Sequence, residues 1–224
     1  MINVLATTIP TGPIQESCGP QVSATRNRQI ARKRHLIDRL RSRVADALLL
    51  ELSGGRPHHY SDQGQPLAAD PHIHLSATHD GRWVLAASGP RAVGIDVDDM
   101  RRIDSSGFHH LLNPDELLAI EASVPPEDRL LRLASIWAAK EAYVKSEGVG
   151  LALDPRLLHV DYTDPPRALV RRGSRARPVE IRQVDEDHVI AITSEHSTEF
   201  TLRIATQVLP SFPETSEERA KCEK

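Results

Sequence analysis

The sequence predicts an α+β fold of two related lobes, and two observations carry that prediction. A helix-like stretch followed by strand-like runs occurs before residue 100 and again, in the same order, after it. Within each half, short segments with turn residues separate the strand-like runs, as antiparallel pairing requires. The lobes are expected at residues 1–100 and 101–207, crossing at Arg101 to Gly107. Residues 208–224 are polar and Pro-punctuated and read as a loose tail.

The elements follow in order. "MINVLATTIP" reads as a first strand ending at Pro10. Ser23 or Thr25 is placed to cap a helix from about Arg26 to Leu52. Its first two-thirds carries eight Lys or Arg against the single Asp38, while "VADALLLEL" is apolar enough to anchor it. "SGGRPHHYSDQGQP" reads as a loop. "HIHLSAT" and "WVLAAS" are strands joined by a turn at His79-Asp80-Gly81-Arg82, and "AVGIDVDDM" is a third strand. In the second half Asn113, Pro114 and Glu116 make a capped, acidic helix start. A longer helix runs from about Glu127 to Glu147 and stops at Gly148. Five strand-like runs follow: "LLHVDY", "RALVRR", "VEIRQV", "HVIAIT" and "FTLRIATQVL".

Bulk properties exclude several classes. A net charge of -3 and 4% aromatic residues speak against nucleic-acid binding and against an electrostatic membrane attachment. No apolar run approaches the roughly 18 residues of a membrane span. The N-terminus has no basic region before its apolar run, unlike a signal peptide. Cys18 and Cys222 lie near the chain ends and form no disulfide framework, so a cytoplasmic setting is expected.

Chemistry concentrates in two places. In "AVGIDVDDM" the pleat sends Val93, Ile95 and Val97 to one face, and Asp96 and Asp98 together to the other. On the long helix, Leu130, Leu133, Ala134, Trp137, Ala138 and Val144 form an apolar stripe, with Arg129, Arg132 and Tyr143 away from its centre. Glu141 and Lys145 fall inside that stripe. An unpaired buried carboxylate costs several kcal/mol, so Glu141 needs a counter-charge. A structural ion pair with Lys145 is one reading. The other is a divalent cation held by Asp96, Asp98 and Glu141, hard oxygen donors suited to Mg²⁺ beside a phosphate, with Lys145 near the same anion. The basic helix supplies arginines for phosphates, though a solvated face accounts for more than half of such a run. His79 reads either as a turn histidine bonded to backbone or as a phosphate ligand, and Trp137 reads as core.

These motifs resemble a known family. "GIDVD" (Gly94 to Asp98) and "WAAKEAYVK" (Trp137 to Lys145) are similar to the paired signatures of 4′-phosphopantetheinyl transferases. "ATHDGRWVLAAS", "DRLRSRVADALLL" and "YSDQGQPLA" resemble further segments of the larger, surfactin-synthetase-activating type, so the resemblance runs from about Arg26 to Leu153. It implies a pseudodimer of two lobes, each with a helix packed on an antiparallel sheet, and coenzyme A in the cleft between them. The protein would act as a monomer on apo acyl or peptidyl carrier domains. It also implies that Asp96, Asp98 and Glu141 hold Mg²⁺ (Mn²⁺ being chemically similar), that His79 and Thr78 meet phosphate, and that Arg41 and Ser42 meet the nucleotide end. One or more of Arg26, Arg28 and Arg32 would lie near the 3′-phosphate. Glu141 would be general base for the carrier serine and Lys145 would stabilise the breaking diphosphate.

Two positions depart from the family pattern. Asp98 stands where Glu is commoner, which leaves open ligation directly or through water. Gln65 replaces a Lys near the nucleotide, removing one cation. Two alternatives remain at this stage: a non-catalytic homologue that binds coenzyme A or carrier domains, and a Mg²⁺-dependent nuclease. The nuclease is disfavoured because Glu141 and Lys145 lie four apart on a helix.

Overall fold

Trp83–Gly89 and His188–Ser194 are buried at every residue, which requires cover on both faces of each strand. The computed structural model, which describes residues 1–9, 22–103, 111–164, 166–195 and 199–204, shows how that cover arises. Two sheets pack face to face, and each carries a helix on its outer side. The chain runs β1 (Ile2–Thr8), α1 (Ala24–Ala31), α2 (Leu36–Leu52), β2 (His58–Tyr60), β3 (Pro66–Ala68), β4 (His74–Asp80), β5 (Trp83–Gly89) and β6 (Val93–Asp99). It continues through α3 (Pro114–Ser123), α4 (Arg129–Glu147), β7 (His159–Asp164), β8 (Arg167–Arg172), β9 (Arg175–Gln183), β10 (His188–Ser194) and β11 (Phe200–Ile204).

The first sheet has the order β11-β1-β5-β4-β3-β2, and the second β6-β10-β9-β8-β7. Between them Val4, Leu85, Ile95, Val97, Ile190 and Ile192 make a dry layer. The opposite face of the first sheet, Leu5, Leu75, Val84 and Ala86, receives Leu40, Val44, Leu48 and Leu49 of α2. The opposite face of the second sheet receives α4, with Leu133, Ala139 and Ala142 joining Val170, Val179, Val189 and Ala191 in one core. Each fully buried aliphatic side chain contributes about 1.5–3 kcal/mol. Among the described residues no helix is long and apolar enough to cross a membrane.

Several sequence expectations change. Pairing crosses the expected division at residue 100. β6 belongs to the second sheet through its antiparallel pairing with β10, and β11 returns to lie parallel to β1 in the first. The first sheet is therefore mixed, not purely antiparallel. The single helix expected over Arg26 to Leu52 is two. The N–H groups of Arg32 and Lys33 close back on Gln29 and Ile30, Arg39 Nε caps the Lys33 carbonyl at 2.9 Å, and α2 restarts after His35. The cause is the run Arg32-Lys33-Arg34, which has no apolar side chain to hold a continuing helix, whereas α1 buries only Ile30. The expected loop after α2 contains the short strands β2 and β3. His79 and Asp80 belong to β4, leaving a two-residue turn at Gly81-Arg82 with Gly81 at φ +52.

The capped start of α3 is present: Asn113 and Glu116 cap reciprocally, each at 3.0 Å. Helix α4 ends at Gly148, whose φ is +66. Its burial is broader than a single stripe. Tyr143 and Lys140 are fully buried while Leu130 is exposed, because α4 is covered by α3 as well as by the sheet. Of the expected crossing, Met100–Arg102 forms a 3₁₀ turn. Residues 104–107, Pro10, Cys18, Cys222 and the tail lie outside the described residues.

Candidate active site

A glycine sets the site. A Cβ on Gly94 of β6 would stand 1.9 Å from the Ala142 carbonyl oxygen of α4, so strand and helix touch backbone to backbone there. The contact places Glu141 and Lys145, which flank Ala142, against the strand face that carries Asp96 and Asp98. That face is the one the pleat predicts, since Val93, Ile95 and Val97 enter the layer between the sheets.

Lys145 Nζ pairs with Asp96 Oδ1 and donates to Thr78 Oγ1 at 3.0 Å, while Thr78 Oγ1 donates to Asp96 Oδ1 at 2.9 Å. The counter-charge of Lys145 is thus Asp96 and not Glu141, because β6 lies closer to it than the preceding turn of its own helix. Asp98 is next to this pair, and its Oδ2 is buried with no hydrogen-bond partner. Burial, and then the Asp96 carboxylate, push the Asp98 carboxyl up to about 9. The same two causes in the same order raise Glu141, with Lys145 opposing them. The site holds more carboxylates than its one ammonium can neutralise.

A cavity of about 510 Å³ opens onto these residues. Its lining includes Asp96, Asp98, Glu141 and Lys145 with Thr78, His79 and Trp137, and also Ser42, Arg26, Lys33 and Tyr60 from the first lobe. A narrower groove of about 220 Å³ shares Ala77, Glu141 and Lys145 with it and runs past Gln65. Gln65 lies over the end of α4, where a Cβ on Gly148 would meet its Oε1 at 2.3 Å. Burial, and then Lys33, Arg41 and Lys145, depress His79 to about 4, so its imidazole is neutral near pH 7 and offers a hydrogen bond in place of a charge.

Other expected residues sit differently. Arg41 is outside the cavity lining: it pairs with Asp38 at 2.9 Å and donates to the Gly81 carbonyl, tying α2 to the β4–β5 turn. Ser42 lines the cavity but donates to the Asp38 carbonyl at 2.8 Å. Arg28 and Arg32 are exposed and do not line it. Trp137, expected in the core, is half-buried on the cavity wall. Lys33, Tyr60, Asp80 and Arg102 line the cavity without having been singled out in the sequence. For Asp80 a signal was available, since it is one residue from His79 at the strand end.

The donor set suits a divalent cation in part. Two carboxylates share one face, and Asp98, whose Oδ2 is buried without a partner, lines the cavity. Glu141 shares the cavity, yet among the described residues no three His, Cys, Asp or Glu side chains converge as a ready-made metal group. The Lys145 ammonium holds the Asp96 oxygen on which such a group would be built.

The chain is similar to known proteins over part of its length. Residues 92–193, which contain Asp96, Asp98, Glu141 and Lys145, match the family model of the 4′-phosphopantetheinyl transferase superfamily. A 4′-phosphopantetheinyl transferase of Bacillus subtilis is 24% identical over 186 residues, spanning 78% of this chain and 83% of the relative. The 4′-phosphopantetheinyl transferase Sfp of Bacillus subtilis strain 168 is 24% identical over 159 residues, spanning 68% of this chain and 63% of the relative. Among solved structures, the Helicobacter pylori holo-(acyl-carrier-protein) synthase in complex with coenzyme A is 19% identical with a TM-score of 0.38, covering 46% of this chain and 97% of that one.

Proposed function

We propose that the chain is a 4′-phosphopantetheinyl transferase, the superfamily whose model its residues 92–193 match, and that it transfers the phosphopantetheine arm of coenzyme A to a serine of an apo acyl or peptidyl carrier protein. Adenosine 3′,5′-bisphosphate is the second product. The observation that carries this reading is the bonded group Lys145–Thr78–Asp96 beside the partnerless Asp98 oxygen, in a cavity that Arg26, Lys33 and Arg102 also line. Such a cavity suits a substrate bearing several phosphates. Action as a monomer and a cytoplasmic setting belong to the same reading.

Asp96 and Asp98 are the residues we assign to Mg²⁺, with Glu141 beside them in the cavity lining. The ion, when bound, supplies neutralisation of the diphosphate oxygens. Glu141, raised by burial and by Asp96, takes the proton of the carrier serine hydroxyl. The serine oxygen bonds to the β-phosphorus as the bond from that phosphorus to the bridging oxygen breaks. The bridging oxygen leaves with the adenosine 3′,5′-bisphosphate. Lys145, steadied by Thr78, offsets the charge that builds on that oxygen. His79 donates to a phosphate oxygen from its neutral ring, and Arg26 and Lys33 hold a further phosphate. Ser42 and Gln65 border the nucleotide.

The test is direct. The protein is incubated with coenzyme A, Mg²⁺ and several apo carrier proteins, and each carrier is weighed by mass spectrometry. A mass gain of one phosphopantetheine arm, dependent on Mg²⁺, is expected. Unmodified carriers throughout, with coenzyme A still binding, would show a binding protein without transfer.

A further inference from the structure

Behind Arg26 and Tyr60 of the cavity lining lies a buried carboxylate that the reaction does not use. Asp46 sits on α2 one turn after Ser42; it is 5% exposed and does not line the cavity. Three side chains converge on it. Arg26 Nε donates to Oδ2 at 2.7 Å, the Tyr60 hydroxyl donates to Oδ1, and His58 Nε2 lies 3.3 Å from Oδ1. The Arg26 guanidinium also lies over the Tyr60 ring at 4.0 Å. Arg26 comes from α1, Asp46 from α2 and Tyr60 from β2, so one carboxylate joins three elements at the cavity wall.

The geometry restricts Arg26. With Nε held by Asp46 and one face on Tyr60, the guanidinium plane is fixed. Its Nη edge remains for the cavity, since Nη1 reaches only Gln29 Oε1 at 3.5 Å. A guanidinium fixed in this way presents two parallel N–H donors, the fork that matches two oxygens of one phosphate.

We propose that Asp46 is a positioning residue that sets selectivity for a terminal phosphate by fixing the plane of Arg26 against Tyr60. This rests on the reading of the cavity as a coenzyme A site; the phosphate contact of Arg26 belongs to that reading, and the role of Asp46 is what is added. The idea carries a sign that charge alone does not. Removing an anion beside Arg26 makes that part of the cavity wall more positive, so simple electrostatics predicts tighter phosphate binding on Asp46→Asn. Positioning predicts weaker binding.

The experiment compares coenzyme A with dephospho-coenzyme A, which lacks the 3′-phosphate, by calorimetry and, separately, by steady-state transfer. Wild type is expected to prefer coenzyme A. Asp46→Asn should weaken coenzyme A binding roughly tenfold, the size of one lost charge-assisted contact. Binding of dephospho-coenzyme A should stay within about twofold, and KM for coenzyme A should rise with kcat little changed. Arg26→Lys keeps the charge but loses the fork, and should erase the same preference even if Asp46→Asn folds poorly. An unchanged or increased preference in Asp46→Asn, or in Arg26→Lys where the former fails to fold, overturns the proposal. So does a wild type that binds the two ligands equally. A wild type that prefers coenzyme A in calorimetry yet transfers nothing would overturn the transferase reading and leave the role of Asp46 to be decided by binding alone.

Discussion

Helix α4 carries two lysines five residues apart, and each meets a carboxylate in a different way. Lys140 is fully buried against Glu116 at 2.6 Å. Both oxygens of that glutamate are used: Oε1 accepts from the Val160 amide at 2.8 Å, and Oε2 from the Asn113 amide at 3.0 Å as well as from Lys140. Lys145 is part-exposed, and beside its partner Asp96 lies an Asp98 oxygen with no partner. The first pair is closed and ties α3, α4 and β7 together. The second is short of positive charge and opens on a cavity. Burial and pairing alone do not distinguish a strut from a site; unmet demand does.

The comparison is easiest to break at Lys140. Lys140→Met should leave Glu116 buried without its cation and cost about 3–5 kcal/mol in urea unfolding. Lys145→Met should cost less than Lys140→Met, since the Lys145 side chain is 29% exposed and Thr78 still donates to Asp96. A similar loss for both would erase the distinction. Glu141→Gln tests the open pair next, and transfer should fall about a hundredfold or more with the melting midpoint kept. Near-normal turnover would remove Glu141 from proton transfer.

Asp98 sharpens the contrast further. Its carboxyl, pushed up to about 9, favours folding below the unfolded value near 3.8, and that contribution is lost as pH rises through 9. Near pH 8 without metal, Asp98→Asn should therefore raise the melting midpoint by roughly a few degrees and abolish any rise caused by Mg²⁺. A wild-type midpoint indifferent to both would count against the ion. The smallest effect belongs to His79, half-buried on the cavity wall. Its value near 4 means that its contribution is complete above the unfolded value near 6.5 and is lost as pH falls toward 4. His79→Asn should flatten stability against pH across that window, and an unaltered slope would show the ring is not the titrating group.

The sequence discloses the site in proportion to how local its causes are. Asp96 and Asp98 share a face because a strand repeats every two residues, and Gly148 ends α4 because of its backbone freedom; both are readable from neighbouring letters. Pairing between distant segments is not. Nothing near "GIDVD" states that it pairs with "HVIAITS", or that β11 will lie beside β1. The helical wheel, which assumes one buried face, leaves Tyr143 off the stripe, yet that side chain is buried and strand β9 brings Arg177 over its ring. The break after α1 was hidden by good helix formers whose charges repel. Asp46, an acid inside "VADALLL", is a local clue of the same kind as Asp80 beside His79.

The return of β11 to β1 has a consequence for biosynthesis. During synthesis β1 waits for Phe200–Ile204 before both its neighbours exist, and β6 waits for His188–Ser194. Early sheet edges therefore stay open until nearly the whole described chain has emerged, which favours slow, late closure and reliance on chaperones during synthesis.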